Sequence, residues 1–256
     1  AEAMEYGIEY WRRKRNDFHC MGSLYWQLND CWPVASWSSL DYYGRWKALH
    51  YVAKRAYEPL FPSVREEKEK VEFWLTNDEK GSRSAFLTWN IMNSKGIILH
   101  SGEEKVDIGP CSSKLIRKQD VREINEDKRE MRKNVIFFSL FEDDRKDGLL
   151  YRGFRLFDDP KYFPLEDPEL SFKVEEARKE GFHYAIHVST ANVALYVFIS
   201  SQDVDLIASD NFFSMKPGET RKIMVKVSDP RENITNLSAQ SLEQKIEITS
   251  LYHLLK

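Results

Sequence analysis

Between Val71 and Ile248, apolar and polar residues alternate in short runs separated by turn residues, and this pattern constrains the fold more than any other property of the sequence. Successive side chains on a strand point to opposite faces, so a period of two marks a half-buried strand. Runs this short and this numerous suit antiparallel sandwiches. Val71, Phe73 and Leu75 open the pattern, and Ala85, Leu87, Trp89 and Ile91 continue it against Phe86, Thr88 and Asn90. Ile97–His100, Lys114–Lys118, Val135–Phe141 and Leu149–Phe157 follow, with turns at Lys95-Gly96 and Asp147-Gly148. Together they predict one sandwich of about 100 residues. The Pro/Asp-rich stretch from Asp158-Asp159-Pro160 through Pro164 to Asp167-Pro168 then reads as a connector. Beyond it, Leu170/Phe172/Val174, Phe182/Tyr184/Ile186/Val188, Leu195/Val197/Ile199, Ile223/Val225/Val227 and Ile246/Ile248 predict a second sandwich of about 85 residues. Lys216-Pro217-Gly218-Glu219 has Pro and Gly where a type II turn requires them.

The first sixty residues differ in kind. Five of the seven tryptophans (Trp11, Trp26, Trp32, Trp37 and Trp46) fall there. Met4, Ile8 and Trp11 recur at helical spacing, with Glu5, Glu9 and Arg13 on the opposite side, predicting a helix over 3–15. Met21–Leu28 reads as a strand apolar on both faces, as a parallel strand under helices would be. A loop from Asn29 to about Asp41 contains Asp30, Pro33 and several serines. A second helix is predicted from about Arg45 to Tyr57 on Trp46, Leu49, Ala53, Ala56 and Tyr57, stopped by Pro59. One strand cannot make a sheet, and so short a unit buries too little to fold alone. The segment is therefore expected to be the end of an α/β domain whose other strands lie outside this chain.

Bulk properties exclude several classes. A net charge of −3 with both signs mixed lacks the basic excess of a nucleic-acid binder. The dense mixture of charges over Arg117–Lys133 reads as a solvated loop or edge. Mean hydropathy is −0.57, and no apolar run approaches the ~18 residues of a membrane span. Ala1-Glu2-Ala3-Met4-Glu5 lacks the pattern of a secretory signal. Cys20, Cys31 and Cys111 are odd in number and without CxxC spacing, so free thiols in the cytoplasm are expected rather than disulfides or a zinc site. Asn233-Ile234-Thr235 and Asn236-Leu237-Ser238 fit the glycosylation pattern, against the missing signal.

Chemistry converges in one place. Trp26, Trp32 and Trp37 with Asn29 and Asp30 offer flat apolar faces beside hydrogen-bonding groups, a combination suited to pyranose rings. In α/β barrels such residues sit at the C-terminal ends of strands, as these do in the predicted arrangement. The alternative is that the tryptophans cement a core. Elsewhere, four residues of strand put His183 and His187 about 13 Å apart, too far to share a metal. His19-Cys20 has no third orienting group, and no Gly-rich phosphate loop is present. No cofactor is expected.

The stretch Gly22-Ser23-Leu24-Tyr25-Trp26-Gln27-Leu28-Asn29-Asp30-Cys31-Trp32-Pro33-Val34-Ala35-Ser36-Trp37-Ser38-Ser39, continuing through Asp41-Tyr42-Tyr43-Gly44-Arg45-Trp46-Lys47-Ala48-Leu49-His50-Tyr51, resembles the β-mannosidases of glycoside hydrolase family 2. The resemblance covers residues 1–60 with high specificity, as the last strand and helix of that family's catalytic TIM barrel. Over 62–256 it is diffuse, with Ser209-Asp210-Asn211-Phe212-Phe213 similar to the final domain's pattern. It implies a mostly β chain: an incomplete barrel segment (1–61), then two immunoglobulin-like sandwiches (62–160 and 161–256). It also implies an exo-acting, retaining enzyme releasing β-linked mannose from non-reducing ends of oligosaccharides. By position Trp26 would be the platform under the −1 sugar, followed by a cis peptide to Gln27, with Asn29 and Asp30 ordering the loop or touching substrate.

The departure from the family weighs as much as the match. Retention requires two carboxyl groups ~5–5.5 Å apart. The family carries them as Asn-Glu after the fourth strand and as Glu in a Ser-Glu-Phe-Gly-like segment at the seventh, both of which would precede Ala1. Asn125-Glu126 reads as a coincidence within the charged stretch. The chain alone is therefore expected to be inactive, its partners being the rest of the barrel and a β-mannoside oligosaccharide. The competing reading is a non-catalytic carbohydrate-binding or scaffolding sandwich protein, for which Trp74 is the one exposed candidate, Trp89 alternating with the core.

Overall fold

A computed structural model describes all residues except 17–18, 68, 125–126, 145, 180, 229–236 and 256. Asn125-Glu126 and both glycosylation-type asparagines lie outside the described residues. The chain is mostly β, with two immunoglobulin-like sandwiches preceded by short N-terminal helices. It divides into two compact units, one of residues 1–25 and 53–164, the other of residues 26–52 and 165–256. Residues 1–61 are thus shared out between them.

In the first unit, β1 (Leu60–Glu67), β2 (Lys70–Asn77) and β5 (Ser112–Asp120) form a three-stranded sheet in the order β1-β2-β5. β3 (Arg83–Asn93), β4 (Ile98–Ile108), β6 (Asn134–Phe141) and β7 (Leu149–Leu156) form a four-stranded sheet in the order β4-β3-β6-β7. The two sheets share a core in which Val71, Phe73 and Leu75 meet Ala85, Leu87, Trp89 and Ile91, the residues singled out by the alternation. β1 lies ahead of the alternating runs that mark the other strands, and Pro62 falls within it. Its edge position resolves this, since a strand at a sheet edge tolerates a residue without an N–H.

The helix α1 (Glu2–Arg13) packs into the same unit, with a buried face that differs from the expected one. Ile8 is in the core, but Glu9, Arg12 and Arg13 are also buried, while Trp11 is exposed. Buried charges persist when they are paired. Glu9 accepts from Arg155 at 2.6 Å and Arg13 at 3.3 Å, and Arg13 also donates to Ser63 at 3.1 Å. Arg12 donates to the carbonyls of Ala56 and Glu58 and pairs with Asp78 at 3.1 Å. Ala56 ends the helix α2 (Ala48–Ala56), so Arg12 satisfies a carbonyl left free at a helix C-terminus.

The second unit repeats the three-plus-four arrangement. β10 (Ala194–Ser201) lies between β12 (Phe213–Met215) and β14 (Ile246–Thr249). The other sheet runs in the order β11-β13-β9-β8, from β11 (Asp205–Ala208), β13 (Thr220–Ser228), β9 (Phe182–Ser189) and β8 (Ser171–Lys179). Gly218 adopts φ 71° and the Glu219 N–H bonds Lys216 O at 3.1 Å, as the Pro-Gly turn requires. Asn211, from the Ser209–Phe213 motif, exchanges two side-chain hydrogen bonds with the Ile199 backbone, at 2.9 and 3.0 Å. Phe212 stacks on Phe198 and Phe213 enters the core, so this motif staples the sheet interior.

The expected strand Met21–Leu28 is not a regular strand. Its end is held only by hydrogen bonds from Ser39 and Leu40 to the Gln27 and Leu28 carbonyls, beside isolated bridges of Leu40 with Asn29 and with Trp46. A strand exists by its ladder, and no described strand of the chain lies alongside this segment.

Candidate functional site

The segment 26–52 folds around one buried carboxylate. Asp30 is only 3% exposed. Its Oδ1 accepts from Ser36 Oγ, and its Oδ2 accepts from Lys47 Nζ at 2.9 Å. The same ammonium donates to Ser38 Oγ at 2.7 Å, and the Ser38 N–H donates to Ser36 Oγ at 3.0 Å. Hydrogen bonds from the Ser36 hydroxyl and Lys47 hold the Asp30 carboxyl at about 2, below its ordinary value of 3.8. With both oxygens engaged, Asp30 orders the loop. A second aspartate shapes the far end: Asp41 Oδ1 accepts the N–H groups of Tyr43 and Arg45, both at 2.9 Å, around Gly44 at φ 82°. Positive φ without a Cβ penalty is what glycine supplies there.

On this frame the indoles stand out from the protein. Trp26, Trp32 and Trp37 are 79%, 65% and 72% exposed. Asn29 is exposed too, its amide donating to Asp30 O at 3.2 Å. Trp26–Gln27 is a cis peptide. Only Trp46 of this group turns inward, against Tyr51 in the second core. Tyr51 accepts the Ala208 N–H at 3.2 Å. The aromatic cluster therefore separates into one cementing residue and three free faces, with Leu28 also exposed. Exposed apolar area of this kind marks a surface made to be covered or to bind. Lys47, Ser36 and Ser38 were not nominated from the sequence. The serine run hinted at hydrogen bonding, but nothing local paired position 30 with position 47.

Other candidates resolve plainly. Trp89 is buried and stacks on Phe73, whereas Trp74 is half-buried with its N–H on Glu72 Oε2 at 3.1 Å. His187 Nε2 meets Glu175 Oε1 at 2.9 Å on the surface. All three cysteines are free, Cys31 and Cys111 exposed and Cys20 half-buried. Among the described residues no three His, Cys, Asp or Glu side chains converge on a metal position. No helix among them is long and apolar enough to cross a membrane.

Comparison with known proteins adds two families in tandem. A Mannosidase Ig/CBM-like domain matches residues 69–162, and the Ig-fold domain named Ig_mannosidase matches residues 165–254. Beta-mannosidase A of Aspergillus niger is 27% identical over 244 residues, 88% of this chain and 26% of that protein. Beta-mannosidase of Capra hircus is 42% identical over 93 residues, 34% of this chain and 11% of that protein. A crystal structure of a beta-D-mannosidase from Dictyoglomus thermophilum superposes with a TM-score of 0.80 at 26% identity, covering 98% of this chain and 28% of that one. An exo-chitosanase from Amycolatopsis orientalis shares the fold at a TM-score of 0.69 and 16% identity. The chain thus spans about a quarter or less of the length of the mannosidases it matches.

Proposed function

This chain belongs to the β-mannosidase-like proteins of glycoside hydrolase family 2 and carries their immunoglobulin-like domains, and from that premise we propose that it is the C-terminal portion of an exo-acting, retaining β-mannosidase. In this reading residues 1–61 complete a catalytic TIM barrel whose other strands, with both glutamates, come from upstream sequence. Trp26 is the platform under the terminal mannose, Asn29 offers its amide beside it, and Asp30 acts by fixing the loop. The observation that carries the reading is the exposure of three indole faces on a loop ordered by buried Asp30 and its pair with half-buried Lys47.

Binding a sugar is then a shared task. Pyranose C–H faces lie on indole, and hydroxyls take the amide. The bond-breaking step needs an acid/base and a nucleophile ~5–5.5 Å apart, supplied by the rest of the barrel. The sandwiches anchor the barrel segment: α1 through Arg12, Arg13 and Glu9 in the first unit, residues 26–52 through Tyr51 and Trp46 in the second. A cytoplasmic setting, expected from three cysteines without CxxC spacing, is part of the same proposal.

The test is hydrolysis of an aryl β-mannoside by this chain alone and by the same chain fused to the upstream barrel. Activity is expected only from the fusion, and Trp26→Ala in it should raise KM and lower kcat/KM. Robust turnover by the 256 residues alone would overturn the proposal.

A further inference from the structure

Phe212 holds its backbone at φ 55°, a left-handed conformation that an aromatic residue rarely adopts. Such a backbone persists only where its surroundings over-determine it. Asn211 does this. Its Oδ1 accepts the N–H groups of Phe212, at 3.0 Å, and of Ile199, at 2.9 Å, while its Nδ2 donates to Ile199 O at 3.0 Å. Nothing in the turn itself calls for phenylalanine, since glycine is unstrained at this φ and asparagine is better tolerated there. The ring, however, has two aromatic partners. It stacks on Phe198, with centroids 5.5 Å apart and planes 8° from parallel, and it meets Tyr51 with centroids 6.0 Å apart. Tyr51 is buried, its oxygen accepts the Ala208 N–H at 3.2 Å, and its ring centroid lies 5.2 Å from that of Trp46. From Trp46 the loop is reached directly. Leu40 bridges both Trp46 and Asn29, and its N–H bonds Leu28 O at 2.8 Å. Lys47, the residue after Trp46, holds Asp30. All of these residues belong to the same compact unit.

We infer that Phe212 is a positioning residue for the Trp26 sugar platform, its ring seating Tyr51 and, through Tyr51, the Trp46–Lys47 pair that closes the substrate loop. The inference rests on the reading of Trp26 as that platform. It gives the second sandwich a part in substrate positioning, carried by packed side chains that run from its sheet to the loop. The left-handed backbone of Phe212 is what aims the ring out of the sandwich turn and against Tyr51.

The experiment is NMR of this chain, unsubstituted and as Phe212→Gly and Phe212→Asn, two replacements that suit the left-handed backbone and remove the ring. The readout is the carboxyl carbon-13 titration of Asp30, which Ser36 and Lys47 hold at about 2. A purely structural role of Phe212 within the sandwich would not move it. Loss of the ring should raise that midpoint toward 3.8 and shift the Trp46 indole N–H cross-peak, and Phe212→Tyr should leave both as in the parent. In the unsubstituted chain the Tyr51 ring should show nuclear Overhauser contacts to the rings of both Trp46 and Phe212, a measurement that no misfolding substitution blocks. Absence of either contact, or a midpoint still near 2 in either ring-less variant, overturns the inference. In the barrel-fused enzyme Phe212→Gly should raise KM for an aryl β-mannoside severalfold, and an unchanged KM where Trp26→Ala raises it overturns the inference as well. Expected NMR results combined with unchanged kcat and KM for Trp26→Ala would instead refute the platform reading and leave Phe212 as the residue that seats the loop.

Discussion

Replacing Gly102 by alanine tests whether the first sandwich is limited by space or by chain flexibility. Gly102 lies on β4 directly opposite Trp89 on β3. A Cβ built there would fall 2.1 Å from Trp89 Cζ2, 2.4 Å from Cε2 and 2.9 Å from Cη2. Ordinary contact begins at 3.4 Å, so the indole would have to retreat by roughly 1.3 Å. It has nowhere to go: Trp89 is buried and stacked on Phe73, with centroids 4.5 Å apart and planes 29° from parallel. Overpacking a core costs ~1–3 kcal/mol. A glycine in a strand with ordinary backbone angles would otherwise gain ~0.5–1 kcal/mol on becoming alanine. The steric term wins, and Gly102→Ala should destabilise the chain by about 2 kcal/mol, or about thirtyfold in the folding equilibrium. Gly81→Ala, where nothing lies within 4 Å, is the control and should be neutral or slightly stabilising. Urea unfolding followed by near-ultraviolet circular dichroism reads both. The Trp89→Leu/Gly102→Ala pair completes a cycle, in which the glycine substitution should lose most of its cost. A Gly102→Ala chain as stable as the parent, with Trp89 still buried, refutes the reasoning.

Three further outcomes follow from the geometry. Because the folded pKa of Asp30 lies near 2, below 3.8, its contribution to stability is full above pH 3.8 and lost as pH falls through 2; carboxyl carbon-13 titration should show a midpoint near 2, raised by Lys47→Met, and a midpoint at 3.8 or above contradicts the clamp. Arg155→Met should cost about 3 kcal/mol by leaving buried Glu9 with Arg13 alone, and Glu9→Leu added to it should recover part of that; a loss under about 1 kcal/mol in denaturant melts would show the pair to be idle. Tyr51→Phe removes the acceptor for the buried Ala208 N–H and should cost about 1–3 kcal/mol with faster exchange of that amide, so unchanged exchange would count against the contact.

What could be read in the sequence and what could not divide along one physical line. Strand alternation, the Lys216–Glu219 turn, both sandwiches and the unusual character of residues 20–46 depend on neighbours in sequence, and there the local chemistry is decisive. β1 carries no such alternation, and its Pro62 is tolerated through edge position, which is a property of the sheet. The helix α1 misled because helical spacing identifies a face but not its burial. Glu9 and Arg12 are inside only because Arg155, Asp78 and the Ala56 carbonyl wait there, and Arg155 is 146 residues away from Glu9. At the site, composition left the tryptophans balanced between core and surface. Tertiary structure decided that Trp46 packs inward while Trp26, Trp32 and Trp37 face out, because Asp30, Lys47, Ser36 and Ser38 satisfy one another and close the loop without any indole. Periodicity and turns are written residue by residue. The pairing of a buried charge, and hence which aromatic faces stay free, exists only once distant segments have met.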